Sequence, residues 1–337
     1  NDRQKAEVSV VKQDKETTNP LPGGIFGLYA DEDILNADGA VVVKKDTLIE
    51  KVTTNGEGKA AFTSDLPIGF GYYVKEVQAP ENYLRNLEDK YSFRFSYTND
   101  EEAKVQFAHT FSNERVNAAI VLQKKDAETN TNVPQGDASL EQAVYGVYAR
   151  KDIVHPDGKT GVIYKAGEQV GTLTTDKEGK ARIENLYLGE YFVKEITPPV
   201  GYLADENEYD LVCSYEGDLV ATVERDCTSP EQVKKQPFQI IKAANNGNTD
   251  AALLEGAGFT AYLVSSLTVK EDGTYDFDSA TPVVLGENGA TEIFTDKKGY
   301  AVSIPLPYGT YVVRETTTPH NYKPVDDFIV RITEHKP

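Results

Sequence analysis

A lysine and a glutamate, each inside an apolar run, are the residues of this sequence best placed to do chemistry. Lys12 ends VSVVK and Glu76 lies in YYVKEV, so each shares the alternation of its hydrophobic neighbours. Asn113 continues the alternation of Phe107 and Phe111 in VQFAHTFSN and should also point inwards. Burying a single charge in an apolar core is costly, so we expect the lysine and the glutamate to be paired or neutral.

Two interpretations fit such a buried trio. In the first, the lysine and the glutamate form an ion pair and the asparagine is a hydrogen-bond partner. In the second, the chain makes its own amide crosslink. A desolvated lysine loses its proton more readily and becomes a nucleophile, while a desolvated glutamate gains a proton. The neutral acid can then polarise the asparagine carbonyl and relay protons as ammonia leaves.

The elements that position these residues recur three times along the chain. The matching segments are TTNGEGKAAFTSDLPIGFGYYVKEVQAPENY, TTDKEGKARIENLYLGEYFVKEITPPVGY and FTDKKGYAVSIPLPYGTYVVRETTTPHNY. Equivalent residues in them are the glycines Gly58, Gly179 and Gly299, the glutamates Glu76, Glu195 and Glu315, and the tyrosines Tyr83, Tyr202 and Tyr322. The glutamates are 119 and 120 residues apart, so each repeat has the size of a domain.

Alternating apolar runs separated by glycine turns and prolines, with almost no helical periodicity, predict an all-β fold. Each unit has enough short strands for one immunoglobulin-like sandwich. We place three tandem domains at residues 5–117, 118–236 and 237–337, called domains one, two and three. The junctions NERVNAA and SPEQVKKQP are short, so we expect an elongated rod.

The repeated motif resembles the B-type repeats of collagen adhesins and the SpaA-type domains of Gram-positive pilins. The resemblance rests on the opening K-x-D strand, the GLYA and GVYA runs, the Asn/Asp-x-x-Gly turn and the YxVKE-x-x-x-P-x-x-Y box, and it covers nearly the whole chain. It implies prealbumin-like sandwiches in which a strand lysine, the box glutamate and a closing-strand asparagine form an isopeptide bond. Domain one has the full set: Lys12, Glu76 and Asn113.

Domain two departs from this pattern. It keeps Lys124 and Glu195, but its closing strand LVATVERDCTSP has no asparagine. Matching the two domains with an allowance for a shorter turn puts Cys227 at the acceptor position. Asp226 is next to it, and an aspartate acceptor would release water instead of ammonia. Because neighbouring strand residues face opposite sides, Asp226 would need a bulge to turn inwards.

Domain three keeps Lys242 and Glu315, and its strand FIVRIT matches the strand that precedes the closing strand in the other domains. We therefore expect its closing strand and acceptor to lie beyond Pro337, which would leave an exposed sheet edge. If an acceptor lies within the chain instead, Asp326 and Asp327 are the first candidates.

Composition restricts the remaining function classes. The net charge of −19 argues against nucleic-acid binding. No apolar run is long enough to span a bilayer, and no signal pattern or initiator methionine is present, so the chain reads as part of a longer precursor. We expect no cofactor and no metal, since the four histidines are scattered and no phosphate loop or zinc signature appears. Cys213 and Cys227 are expected to be small buried residues near a hairpin rather than a disulfide.

The favoured function is a monomeric structural stalk or pilin-like segment of a cell-wall-anchored extracellular adhesin, whose partners are the neighbouring domains of the same protein. The alternative is a module that binds a host protein or glycan through its loops, for example the inserts HPDGKTGVIYKAGEQ and VKEDGTYDFDSATPVVLGENGAT. An enzyme is disfavoured, because self-crosslinking is a single event without turnover.

Overall fold

The chain folds into three consecutive β-sandwiches, as the sequence predicted. The computed structural model describes residues 3–244 and 252–337. Within these ranges the regular structure is β-strand, apart from two short 3₁₀ turns at Val264–Ser266 and Glu287–Gly289. The described residues contain no helix with the length and apolarity needed to cross a membrane.

Domain one packs the sheet β6-β1-β9 against the sheet β5-β2-β7-β8. Its strands are β1 (Lys5–Asp14), β2 (Ile25–Ala30), β3 (Ile34–Leu35), β4 (Val41–Val43), β5 (Leu48–Thr53), β6 (Lys59–Ala61), β7 (Phe70–Gln78), β8 (Lys90–Phe95) and β9 (Lys104–Asn113). Alternate residues of β1 and β9 face the opposite sheet, where their apolar members meet side chains such as Phe26 and Val74. This alternation is what carries Lys12 and Asn113 into the core.

Domain two repeats the arrangement with the sheets β15-β10-β18 and β14-β11-β16-β17. Its strands are β10 (Asn117–Asp126), β11 (Val144–Ala149), β12 (Ile153–Val154), β13 (Val162–Tyr164), β14 (Gln169–Thr174), β15 (Lys180–Leu186), β16 (Gly189–Thr197), β17 (Glu208–Cys213) and β18 (Thr222–Glu231). Cys213 and Cys227 are buried free thiols in its core. They do not flank a hairpin, as the sequence had suggested, because β17 and β18 belong to opposite sheets.

Domain three has the four-stranded sheet β22-β21-β25-β26, but the sheet facing it is reduced to the pair β20-β23 in the described residues. Its strands are β20 (Gln239–Ile241), β21 (Gly258–Leu263), β22 (Glu292–Phe294), β23 (Tyr300–Val302), β24 (Leu306–Pro307), β25 (Gly309–Thr317) and β26 (Phe328–Ile332), and β24 pairs with β19 (Lys235–Gln236) at the domain boundary. In the described part of the chain, no strand lies beside β20 where β9 and β18 lie beside β1 and β10.

The first and last strands of domains one and two are parallel neighbours. In domain one, Lys12 is opposite Phe111 and Asp14 is opposite Asn113. In domain two, the same register places Lys124 opposite Ser229 and Asp126 opposite Glu231. Parallel partners at matched positions show their side chains on the same face, so the lysine and the residue at the end of the last strand share one side of the sheet.

The turn glycine of each repeat fixes the backbone of the strand lysine. Gly58 has a φ of +71°, and a Cβ placed there would approach the carbonyl oxygen of Lys12 to 2.4 Å. The amide of Lys12 donates to the carbonyl of Gly58 at 2.7 Å. Gly179 and Gly299 make the equivalent contact in their domains. Only glycine combines this positive φ with such a close approach, which explains its place in the motif.

Polar contacts hold each domain against the next. The Arg85 guanidinium of domain one forms two hydrogen bonds with the Asp218 carboxylate of domain two, at 2.8 and 3.0 Å. Asp218 also accepts from the amide of Ala79 at 2.9 Å. At the second junction, Asp137 accepts from the amide of Thr310 at 2.9 Å. Neighbouring domains of the chain are therefore direct partners of one another.

Candidate crosslink sites

The predicted trio of domain one meets in the middle of the sandwich. Lys12 Nζ lies 2.7 Å from Glu76 Oε2, and both side chains are 0% exposed. Glu76 Oε1 accepts from Asn113 Nδ2 at 2.9 Å and from the backbone amide of Asn86 at 3.1 Å. One carboxyl group therefore bridges the lysine and the asparagine, with a different oxygen facing each.

The orientation of the Asn113 side chain is set by the backbone around it. Its Nδ2 donates to the carbonyl of Leu84 at 3.0 Å, and a carbonyl oxygen can only accept. The nitrogen of this amide is therefore the atom next to Glu76. This differs from the sequence-based expectation, in which the acid would polarise the amide oxygen: the carboxyl group faces the leaving nitrogen instead.

Three buried atoms of this trio lack a hydrogen bond. Lys12 Nζ and Glu76 Oε2 are at ion-pair distance from each other, but their contact is not an aligned hydrogen bond, and Asn113 Oδ1 has no partner in the described residues. A buried polar group without a partner costs about 1–3 kcal/mol. Two of the three atoms, Lys12 Nζ and Asn113 Oδ1, belong to the side chains that an amide bond would join.

Burial also favours the neutral form of two of the strand lysines, Lys12 and Lys124. It lowers the pKa of Lys12, although the neighbouring Glu76 carboxylate opposes the effect. In domain two, burial lowers the pKa of Lys124 to about 8, against the opposing influence of Glu195. A larger share of each amine is then neutral near pH 7, and only the neutral amine has the lone pair needed for attack.

A buried aspartate two residues after the lysine closes this end of the core. Asp14 accepts from the amides of Glu16 and Thr17 at 2.7 and 2.8 Å and from the hydroxyl of Tyr83 at 2.7 Å. Asp126 and Tyr202 make the same contact in domain two, at 2.8 Å. The K-x-D strand and the tyrosine that ends the box are thus two halves of one contact.

We expect Tyr83→Phe to destabilise domain one by about 1–3 kcal/mol, because it leaves a buried Asp14 oxygen without its donor. Denaturant unfolding followed by domain-specific hydrogen exchange measures the change. Tyr322→Phe is the matched control, since Ala244 replaces the aspartate in domain three and Tyr322 is 40% exposed. Its effect should stay within about 0.5 kcal/mol. Equal effects of the two substitutions would contradict this account.

Domain two places a glutamate instead of an asparagine beside its lysine. Lys124 Nζ donates to Glu195 Oε2 at 2.9 Å and lies in direct contact with Glu231 Oε1. The side chains of all three residues are at most 1% exposed. Glu231 is opposite Asp126, as Asn113 is opposite Asp14, and so occupies the acceptor position.

The predicted acceptor Asp226 is not part of this site. It is exposed on the outer face of β18, where it is opposite Val121. Cys227 is opposite Leu122, which makes it the counterpart of His109 rather than of Asn113. The error came from assuming a shorter turn: the connections 96–103 and 214–221 both have eight residues. An alignment of Ser96 with Ser214 without a gap would have found Glu231.

Domain three pairs its lysine and glutamate without an acceptor among the described contacts. Lys242 Nζ donates to Glu315 Oε2 at 3.2 Å, and the same oxygen accepts from the amide of Val325 at 2.7 Å. Asp326 is exposed but lines, with Lys242, a groove of about 350 Å³ beside β20. Asp327 lies 3.2 Å from Arg314 on the surface.

Comparison with known proteins agrees with this architecture. Residues 6–110, 118–226 and 236–337 each match the family described as SpaA: Prealbumin-like fold domain. A collagen adhesin of Staphylococcus aureus is 28% identical over 217 residues, which cover 60% of this chain and 16% of that protein. The structure resembles that of the Bacillus anthracis TIE protein, with a TM-score of 0.58 and 20% identity over 98% of this chain and 49% of that chain. The second likeness shows the fold alone, and the chain spans less than half the length of either relative.

Proposed function

Because the chain belongs to the SpaA prealbumin-like domain family, we propose that it is a structural stalk or pilin-like segment of an extracellular, cell-wall-anchored adhesin of a Gram-positive bacterium. In this proposal domain one is closed by an amide bond between Lys12 and Asn113. The observation that carries it is the single buried carboxyl group of Glu76, which contacts both reacting side chains.

The reaction follows from the order of the contacts. The neutral Lys12 amine attacks Cγ of Asn113, and a bond forms between Nζ and that carbon. Glu76 takes a proton from the amine through Oε2 and supplies one to Nδ2 through Oε1. The bond between Cγ and Nδ2 then breaks and ammonia leaves. Glu76 ends in its starting state, and the amine and the amide have become one secondary amide plus ammonia.

The dry core supplies what a free amine and a free amide lack in water. Holding the reactants in contact gives a high effective concentration and removes the need to reorganise solvent. No substrate enters and no product regenerates the site, so the proposed reaction occurs once per molecule. Its result is a mechanical property of the domain and not a turnover activity.

A bond at this place would carry tension around the domain. Pulling the chain by its ends would load β1, pass through the Lys12–Asn113 bond and leave through the end of β9. The residues between the two linked positions would bear no load. This behaviour suits a segment that holds a binding tip away from a surface, and it uses covalent bonds where the cysteines form no disulfide.

Single-molecule stretching tests the proposal. In the wild-type chain, the roughly 100 residues between Lys12 and Asn113 should never extend. Asn113→Ala should add one unfolding step of roughly 350 Å, at about 3.5 Å per released residue. The steps of domain three serve as the internal control and should be unchanged. A wild-type chain that already releases this length would refute the crosslinked stalk.

A further inference from the structure

The centre of domain two differs from that of domain one at four contacting positions at once. In domain one the rings of Phe26 and Phe111 pack at 4.7 Å between centroids, beside the lysine and the glutamate. The strand registers show which positions of the two domains are equivalent, and at these positions domain two has hydrogen-bonding residues in place of the apolar pair. The correspondences are Phe26 with Tyr145, Phe111 with Ser229, Asn86 with Asp205 and Asn113 with Glu231.

In domain two these side chains form one connected network of buried hydrogen bonds. Tyr145 Oη lies 3.1 Å from Glu231 Oε1 and 2.5 Å from Ser229 Oγ. Ser229 Oγ lies 2.7 Å from Asp205 Oδ2, which also accepts from the hydroxyl of Tyr209. The network therefore runs from the Glu231 carboxyl through the hydroxyls of Tyr145 and Ser229 to the Asp205 carboxyl.

The direction of the hydrogen bonds along this network is set by Asp205 at its far end. Burial favours a raised pKa for Asp205, but hydrogen bonds from Tyr209, Ser229 and Asn207 outweigh it and hold the pKa below its ordinary value. Asp205 is then charged and can only accept, so Ser229 gives its one proton to Asp205. Tyr145 gives its own proton to Ser229, and its oxygen is left as an acceptor.

At the other end of the network, this direction requires a proton on Glu231. Tyr145 Oη accepts from Lys124 Nζ at 2.7 Å and has a remaining lone pair facing Glu231 Oε1. A carboxylate there would meet an acceptor, whereas a carboxylic acid would donate to it. Charge balance points the same way, because a single lysine faces the carboxyl groups of both Glu195 and Glu231.

We propose that domain two is closed by an amide bond between Lys124 Nζ and Cδ of Glu231, a glutamate acceptor in place of an asparagine. The proposal extends the crosslinking proposed for domain one, but it rests on different residues and can fail separately. A neutral carboxylic acid is an electrophile that an amine in contact can attack, whereas a carboxylate resists attack because of its charge. The hydrogen bonds through the Tyr145 and Ser229 hydroxyls keep Glu231 in this neutral, reactive form.

The step balances with water as the leaving molecule. The neutral amine of Lys124 attacks Cδ of protonated Glu231, and Glu195 takes a proton from the nitrogen through Oε2. One oxygen of the tetrahedral intermediate receives a proton from Glu195 and leaves as water when its bond to Cδ breaks. The products are one secondary amide and one water, and Glu195 returns to its starting state. The buried contact provides an effective concentration of about 10⁵ M or more, which favours condensation.

The mass of the intact chain and its tryptic peptides test the proposal. The wild-type mass should be below the sequence mass by one ammonia for domain one and one water for domain two. Trypsin should release residues 116–125 joined to residues 226–234, with Lys124 left uncut. Fragmentation of this pair should place the link on Glu231 and not on Asp226. Retention of the water, or a link at Asp226, would overturn the proposal.

Two substitutions sharpen the result. Glu231→Gln should give a linked protein of the same mass as the linked wild type, because glutamine losing ammonia and glutamate losing water leave the same acyl group. A variant heavier than the linked wild type by one ammonia would still carry its glutamine amide and would count against the proposal. Asp226→Ala is the exposed control and should keep the water loss. If the crosslink proposed for domain one does not form, this would appear separately, because the tryptic peptides 6–15 and 105–115 would not be joined.

Discussion

Glu76→Gln is expected to leave domain one unlinked and to lower its free energy of unfolding by about 4–5 kcal/mol. The estimate treats the Lys12–Asn113 bond as a crosslink that closes a loop of about 100 residues and so limits the unfolded chain. Glutamine keeps the size of the side chain, but it cannot carry a proton from Lys12 Nζ to Asn113 Nδ2. The variant protein should retain the ammonia that the wild type is expected to lose.

Intact mass and denaturant unfolding measure the two effects on the same sample. Glu315→Gln is the matched control, because it changes the same position of the repeat in a domain whose described lysine contacts include no acceptor. Its mass should change only by the substitution itself. If Glu76→Gln loses ammonia as completely as the wild type, Glu76 is not the residue that moves the protons.

The second large effect is expected in domain three, which should be cleaved by proteases at least about ten times faster than domain one. Tenfold corresponds to about 1.4 kcal/mol in the opening equilibrium. In the described residues β20 is paired on one side only, and its Ile241 is 71% exposed. By contrast, β1 is paired on both sides, and its partner β9 matches it over ten residues.

Limited proteolysis followed by mass analysis of the fragments measures this difference. The first cleavage sites should lie C-terminal to Gln236, within domain three, leaving a fragment that contains domains one and two. The groove between β20 and β26 should then be the accessible edge, since it is lined by Ile240, Phe259 and Phe328 without a covering strand in the described residues. If domain three persists as long as domain one, a segment other than the described neighbours of β20 protects this strand.

The sequence predicted the fold and part of the site, for physical reasons that differ between residues. Period-two alternation carried Lys12, Glu76 and Asn113 into the core, and this pattern is visible in the letters alone. The residue of the last strand that faces Lys124 depended on strand register, and a four-residue error moved the predicted position from Glu231 to Cys227 and its neighbour.

Other features had no periodic signal from which they could be predicted. The hydroxyl of Tyr145 reaches Ser229 only because two strands distant in sequence face one another across the sandwich. The contact between Arg85 and Asp218 joins loops of different domains, and nothing in either local sequence indicates its partner. Such contacts depend on the placement of whole sheets, which alternation does not determine.

The parallel pairing of β1 with β9 also has a consequence for the order of events during synthesis. The two strands lie about 100 residues apart in sequence, so most of the stabilising contacts of β1 are non-local and slow to form. A ribosome adds about 5–20 residues per second, so β1 waits several seconds before β9 exists. During that interval Lys12 has no Asn113 to react with, so the chain cannot yet be crosslinked at this position. Lys12 meets Asn113 only when the last strand docks, which makes the docking of β9 the earliest moment at which the domain can become irreversibly closed.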